Sequence, residues 1–310
     1  RNSMTSRLRR SLILPVTLSA MLLSGCTAIG NGAAADGSAS LDALASFYPL
    51  QFVVQAVGGD AVDVSSLTPP GAEPHNLELS PAMVSDLAAA SLVVYASGFQ
   101  PAVDAAVQQT GPEHALDVAG TADLQASDGT SLSAGSAHSA ADPHFWLDPL
   151  RLAAVTEQVR ATLSDIDPEH ASAYTENAEE LIQDLELLDE QYTAGLAACQ
   201  RRTIVVSHEA YGYLASRYGL EQAGIAGIDP EAEPAPARVA KIQRVIEGSD
   251  VTTIFTESLV NPKVAETIAA DLGIRTAVLD PLESLADPGT DYLSVMRSNL
   301  SALQEALGCE

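Results

Sequence analysis

Residues 167–196 read DPEHASAYTENAEELIQDLELLDEQYTAGL, and in them Tyr174, Ala178, Leu181, Leu185, Leu188, Tyr192 and Leu196 recur at spacings of three and four. That period places all seven on one face of an α-helix. Asp167-Pro168 offers a capping carboxylate followed by a proline, whose missing N–H has no partner in a first helical turn anyway. At 1.5 Å per residue the segment would run roughly 43 Å, longer than a small domain needs. It is therefore expected to brace two lobes.

On either side of this helix, short apolar runs alternate with helical patterns. Candidate strands lie at 61–67 and 92–97 before it, and at 202–207, 251–256 and 275–279 after it. Further helices open on a cap and a proline at Ser80-Pro81, Asp148-Pro149 and Asn261-Pro262. Strand and helix in alternation predict an α/β fold with parallel-type sheets. Ala72-Glu73-Pro74, then a helix and the strand 92–97, is echoed by Ala232-Glu233-Pro234, a helix and the strand 251–256. Two similar lobes, 41–166 and 198–310, joined by a linking helix at 167–197, would account for the echo.

The amino end has a different character. Arg7, Arg9 and Arg10 precede the apolar run 12–22, which is too short to span a bilayer, and Leu23-Ser24-Gly25-Cys26 follows. With Met4 as the start, residues 1–25 read as an export signal. The Leu-Ser-Gly-Cys ending resembles the lipobox of bacterial lipoproteins, which implies lipid attachment at Cys26. Residues 26–40 are mostly Ala, Gly and Ser and read as a flexible tether. Two further cysteines, Cys199 and Cys309, form an even pair in an oxidising compartment and are expected to bond to each other.

With 15 basic and 41 acidic residues the formal charge is −26, which repels phosphate backbones and anionic headgroups. A nucleic-acid partner is excluded on that ground, and contact with a membrane is expected only through the lipid. The chain has no Walker A sequence, no Gly-x-Ser-x-Gly, no His-Glu-x-x-His and only two lysines, Lys241 and Lys263.

Six histidines carry what chemistry the sequence shows. His114 and His170 stand in polar surroundings and are expected to be solvated. His75 follows a Pro-Pro-Gly-Ala-Glu-Pro loop, His144 lies in Asp-Pro-His-Phe-Trp-Leu-Asp-Pro, and His208 directly follows the apolar run 203–207. Asp280 follows the strand at 275–279 in the same way. Ligands of open α/β sheets collect at the carboxyl ends of strands, so His208 and Asp280 can converge there. Three imidazoles and one carboxylate would complete the first shell of a tetrahedral divalent ion. By position alone, a histidine at a strand end is more often a hydrogen-bonded core residue.

The wording around these positions is more specific. Asp142-Pro-His-Phe-Trp-Leu-Asp-Pro149, Ala72-Glu-Pro-His-Asn-Leu-Glu-Leu-Ser-Pro81, Ser207-His-Glu-Ala-Tyr-Gly-Tyr-Leu-Ala-Ser-Arg-Tyr-Gly-Leu220 and Leu279-Asp-Pro-Leu282, in that family's order along the chain, resemble the zinc and manganese solute-binding lipoproteins of bacterial ABC importers. The resemblance implies two α/β lobes joined by one rigid helix, with the metal between them on His75, His144, His208 and Asp280. It implies Zn2+ as the transported ligand, since zinc members usually carry His at the third position where manganese members carry Glu. It implies as partner a permease with its cytoplasmic ATPase, served by a monomer anchored to the outer face of the cytoplasmic membrane.

Zinc members often hold a long His- and Asp-rich loop before the second ligand. Here residues 127–142 contain only His138 with Asp128 and Asp142, so His138 is at most a weak entry ligand and the loop is vestigial. Four protein ligands leave no open position for a nucleophilic water, so capture and not catalysis is expected, and Glu209 beside His208 is not read as a general base. Glu257 and Trp146 are open between supporting the ligands and packing. Other readings within reach of the same sequence are a manganese-binding member, a surface adhesin on this scaffold, and a binding protein for a metal chelate.

Overall fold

Two four-stranded sheets, each parallel throughout, carry the architecture of the computed structural model, which describes residues 40–125, 141–285, 287 and 289–310. These described residues form one unit. The first sheet is built from β1 (Leu41–Ala45), β2 (Val62–Ser66), β3 (Leu92–Tyr95) and β4 (Ala115–Asp117) in the order β2-β1-β3-β4. The second uses β5 (Thr203–Val206), β6 (Glu221–Gly224), β7 (Thr253–Thr256) and β8 (Arg275–Val278) in the order β6-β5-β7-β8. The two orders are the same, which gives the sequence echo its structural meaning: it aligns β3 with β7, the third strand of each sheet. Strand order reverses at β1/β3 in one lobe and at β5/β7 in the other, and such switch points open a crevice at the carboxyl ends of the strands.

The helices are α1 (Tyr48–Gly58), α2 (Pro81–Ala89), α3 (Pro101–Thr110), α4 (Pro149–Ile166), α5 (Ala171–Gly195), α6 (Gly212–Tyr218), α7 (Pro236–Gly248), α8 (Lys263–Leu272) and α9 (Tyr292–Leu307). The long helix α5 buries Tyr174, Ala178, Leu181, Leu185, Leu188 and Tyr192, the face its periodicity predicts. It packs on α1, α4 and α9. Its start differs from the expectation. α4 runs to Ile166, and Asp167 closes that helix with its backbone N–H on Leu163. The Asp167 carboxylate then takes His170 Nδ1 and Tyr174 Oη, each at 2.7 Å. His170 is thus paired with Asp167 while still partly exposed, and His114 is exposed.

One core runs through both lobes. It joins Ala43, Phe47 and Leu92 of the first to Trp146, the buried face of α5, and Val206, Tyr211 and Leu303 of the second. Smaller clusters under α2 and α3 and under α7 and α8 fill the outer faces. Buried tyrosines satisfy their hydroxyls on backbone across the core, with Tyr192 on Met296 and Tyr211 on Leu279, both 2.7 Å. Cys199 and Cys309 are disulfide-bonded across a sequence separation of 110, tying the last residues to the amino end of β5. Among the described residues no helix is long and apolar enough to cross a membrane.

Three strands escaped the sequence reading. Leu41–Ala45 (LDALA), Ala115–Asp117 (ALD) and Glu221–Gly224 (EQAG) lack the β-branched residues that mark a strand. Their neighbours hold them extended: β1 lies between β2 and β3, and β6 pairs along its whole length with β5.

Candidate metal centre

His208 is delivered by the switch point of the second sheet. β5 ends at Val206, Ser207 Oγ donates to the Phe255 carbonyl of neighbouring β7 at 3.1 Å, and His208 follows, buried. Glu257 directly follows β7, so its carboxylate meets the same crevice, and His208 Nδ1 lies 2.7 Å from Glu257 Oε1. His144 precedes a 3-10 turn, Phe145–Leu147, that leads into α4. Asp142 Oδ1 accepts both its backbone N–H at 3.0 Å and its ring Nδ1 at 2.7 Å. Asp142 is itself placed by Tyr213, whose hydroxyl donates to the Asp142 carbonyl at 2.8 Å. His75 lies between β2 and α2, edge-on to Phe99 with ring centroids 4.8 Å apart.

These three imidazoles converge, and the carboxylate they meet is Glu283. Among the described residues His75, His144, His208 and Glu283 are the one group whose donor atoms could hold a metal ion, all within 4.8 Å of one another. Glu283 Oε1 is 3.3 Å from His75 Nε2, 2.9 Å from His144 Nε2 and 3.1 Å from His208 Nε2. His144 Nε2 lies 3.3 Å from both His75 Nε2 and His208 Nε2. A tetrahedral zinc with donors at about 2.0–2.1 Å spaces those donors about 3.3 Å apart. The donor set fits such an ion in number and chemistry, and the five spacings given, 2.9–3.3 Å, lie at or just below that edge length.

Asp280, expected as the fourth ligand, is not in the group. Its Oδ1 accepts the backbone N–H of Leu282 at 2.8 Å, closing an Asx-type turn over Pro281. Leu282 takes a left-handed backbone (φ 59°), rare for a bulky side chain, and is fully buried. That turn swings the next residue, Glu283, into the cluster. The sequence signal that could have found it is local: Asp-Pro initiates a turn, so the carboxylate that reaches a strand-end crevice is the one after the turn.

The carboxylates fix imidazole chemistry. With Nδ1–H donated to Asp142 and Glu257, His144 and His208 turn the Nε2 lone pair toward the cluster, the tautomer a metal requires. Facing Glu283 Oε1, these are acceptors against an acceptor, an arrangement that a cation makes favourable. Protons are the alternative cation. Burial disfavours charge on His208, but Glu283 and Glu257 outweigh it and raise its pKa well above the usual value. Burial likewise opposes charge on His144, and Asp142 and Glu283 lift it. His75 goes the other way, lowered by burial. Burial would raise Glu283, yet His208 and the surrounding hydrogen bonds hold it well below the carboxylate range.

The remaining expected residues are placed as follows. Glu209, beside His208, pairs with Arg238 Nη2 at 2.8 Å and is tied into the lobe by its backbone N–H on Gly227 at 2.9 Å. Trp146 donates Nε1–H to the Pro281 carbonyl at 2.7 Å, so it steadies the Asp280–Glu283 turn as well as packing against Phe47 and Phe99. Cys26 and His138 lie outside the described residues.

Fold and site together define a two-lobed α/β protein that can enclose a divalent cation between His75 and His144 on one side and His208 and Glu283 on the other. The chain belongs to the family of the zinc-uptake complex component A, periplasmic, whose model matches residues 44–306. Proteins of this family serve zinc transport by binding solute and are not enzymes. The high-affinity zinc uptake system protein ZnuA of Bacillus subtilis is 32% identical over 306 residues, covering 93% of this chain and 94% of that protein. The zinc-binding lipoprotein AdcA of Streptococcus pneumoniae serotype 4 is 31% identical over 96% of this chain, which spans only 61% of AdcA. The crystal structure of Zn(II)-bound AdcA from that species superposes at a TM-score of 0.74 with 31% identity, over 86% of this chain and 58% of that one.

Proposed function

We propose that this protein captures Zn2+ outside the cytoplasmic membrane on His75, His144, His208 and Glu283, and hands it to an ABC importer permease driven by a cytoplasmic ATPase. The observation that carries this reading is the cluster itself: three Nε2 atoms around one carboxylate oxygen at 2.9–3.3 Å, with two of the rings already held in the ligating tautomer by Asp142 and Glu257. An imidazole-rich, four-donor shell suits zinc, whereas manganese favours a more oxygen-rich and higher-coordinate one. Four protein donors leave no site for a metal-bound nucleophile, which supports transport cargo over catalysis. Lipid on Cys26, with residues 26–40 as tether, would keep the protein at the membrane where the permease lies.

The test is competitive binding. The protein, stripped with chelator and offered zinc and manganese together, is expected to retain one zinc per chain and to lose it in the His208→Ala variant. Preferential retention of manganese would overturn the choice of metal, and tight binding of neither would overturn the site.

A further inference from the structure

His75 is held differently from the other donors. His144 and His208 each give Nδ1–H to a carboxylate 2.7 Å away, and Glu283 is set by the turn at Leu282. His75 sits on the stretch between β2 and α2 that forms neither helix nor strand, and its neighbour Glu73 accepts its backbone N–H at 2.7 Å. A donor on irregular chain has to be fixed through its backbone, because a displacement of about 1 Å is enough to loosen a metal shell.

A buried chain of polar groups supplies that fixation. Thr68 Oγ1 donates to the Ser46 carbonyl at 2.7 Å, at the carboxyl end of β1. The Gln100 carboxamide, at the start of α3, donates from Nε2 to Thr68 Oγ1 at 3.1 Å and to the carbonyl of Pro74 at 3.2 Å. The Pro74 carbonyl can only accept and the Thr68 hydroxyl hydrogen is committed to Ser46, so both partners demand the amide nitrogen and the orientation of Gln100 is settled. Ser46, Thr68 and Gln100 are 1%, 3% and 2% exposed, so these bonds are shielded from competing water. Phe99, next to Gln100, presents its ring to the His75 imidazole. In the second lobe the switch point carries a donor, His208. In the first lobe the equivalent crevice, between β1 and β3, carries this network.

We propose that Gln100 is a positioning residue for metal capture: by bridging Thr68 and Pro74 it locks the peptide preceding His75 to the first sheet and sets where His75 Nε2 stands. This rests on the reading of His75 as a zinc donor. The experiment is a double-mutant cycle on the full chain, with zinc affinity measured by chelator competition for the wild type, Gln100→Met, His75→Ala and the double variant. Gln100→Met keeps size and removes both donors, and is expected to weaken zinc about 10-fold, the low end for loss of an outer-shell partner. In the His75→Ala background the same change is expected to cost less than about 2-fold, since the group it positions is gone. An equal loss in both backgrounds, or no loss in a folded Gln100→Met protein, overturns the proposal. Unchanged affinity in His75→Ala overturns instead the assignment of His75. Should Gln100→Met fold poorly, Thr68→Val, which removes the hydroxyl Gln100 leans on, is expected to give a smaller loss that likewise vanishes without His75. A Thr68→Val loss that persists there sinks the idea.

Discussion

His208 and Glu257 follow neighbouring parallel strands, and their side chains meet across the switch point with Nδ1 2.7 Å from Oε1, both buried. The strand order alone produces this encounter: β5 and β7 pair through Val205–Ile254 and Val206–Phe255, so the residues just beyond them emerge side by side.

Replacing Glu257 by Gln keeps an acceptor near Nδ1 and removes the charge. Zinc affinity is expected to fall about 10-fold, within the range for outer-shell partners of metal-bound histidine. Isothermal titration against a chelator measures this, and an unchanged affinity would show that Glu257 only packs.

Asp280 and Glu283 are distinguished directly. Asp280→Asn retains an oxygen for the Leu282 N–H and is expected to change zinc affinity by no more than a few tenths of a kcal/mol, as for substitutions away from the critical contacts. Glu283→Ala removes the carboxylate shared by three imidazoles and is expected to weaken binding by orders of magnitude. The opposite ranking would restore Asp280 as the ligand.

Acidity acts on the site with opposite sign in the two forms. The pKa values of His144 and His208 are raised by their carboxylates, so in the metal-free protein they retain protons above the ordinary histidine range, about 6.5. Zinc displaces those protons, so its affinity is expected to begin declining at a pH above the ordinary histidine range and to keep falling toward pH 5. For the metal-free fold, a raised folded pKa contributes stability that is full below about 6.5 and fades as pH rises through the folded value. Glu283 is depressed, so its contribution is present above the free carboxylate pKa and is lost as pH falls through its folded value. His75, lowered by burial, partly offsets the two raised histidines. Thermal melts of the stripped protein are therefore expected to peak at mildly acidic pH, while the melting shift on adding zinc grows toward pH 8. A zinc-induced shift that does not change between pH 8 and 5 would refute the three-histidine site.

Removing the disulfide tests stability apart from binding. Cys199→Ser with Cys309→Ser is expected to cost about 2–5 kcal/mol in denaturant unfolding. The backbone bonds Gln200 to Gly308 and Arg201 to Leu307 keep the terminus docked, and His208 lies at the other end of β5. Zinc stoichiometry should hold at one per chain, and its loss would show that the bridge shapes the site.

What the amino-acid order determined by itself was periodic or local. The three-and-four spacing of Tyr174 to Tyr192 needed only a helix to place those residues on one buried face. The β-branched runs Thr203–Val206 and Thr253–Thr256 announced the central pair of the second sheet, and the histidine following one of them announced where a ligand would sit. Tertiary structure decided the rest. β1, whose Leu-Asp-Ala-Leu-Ala has little strand character, is extended because two neighbours bond it on both edges. Glu283 and not Asp280 joins the histidine cluster because a strand-end position says where the chain leaves the sheet and not how it then turns. Here the Asx turn on Asp280, the left-handed Leu282 and the bond from Trp146 to Pro281 carry the next carboxylate inward. Gln100 reaches the Pro74 carbonyl, beside His75, across 26 positions of chain and Glu257 reaches His208 across 49, through contacts that exist only once the two sheets have formed.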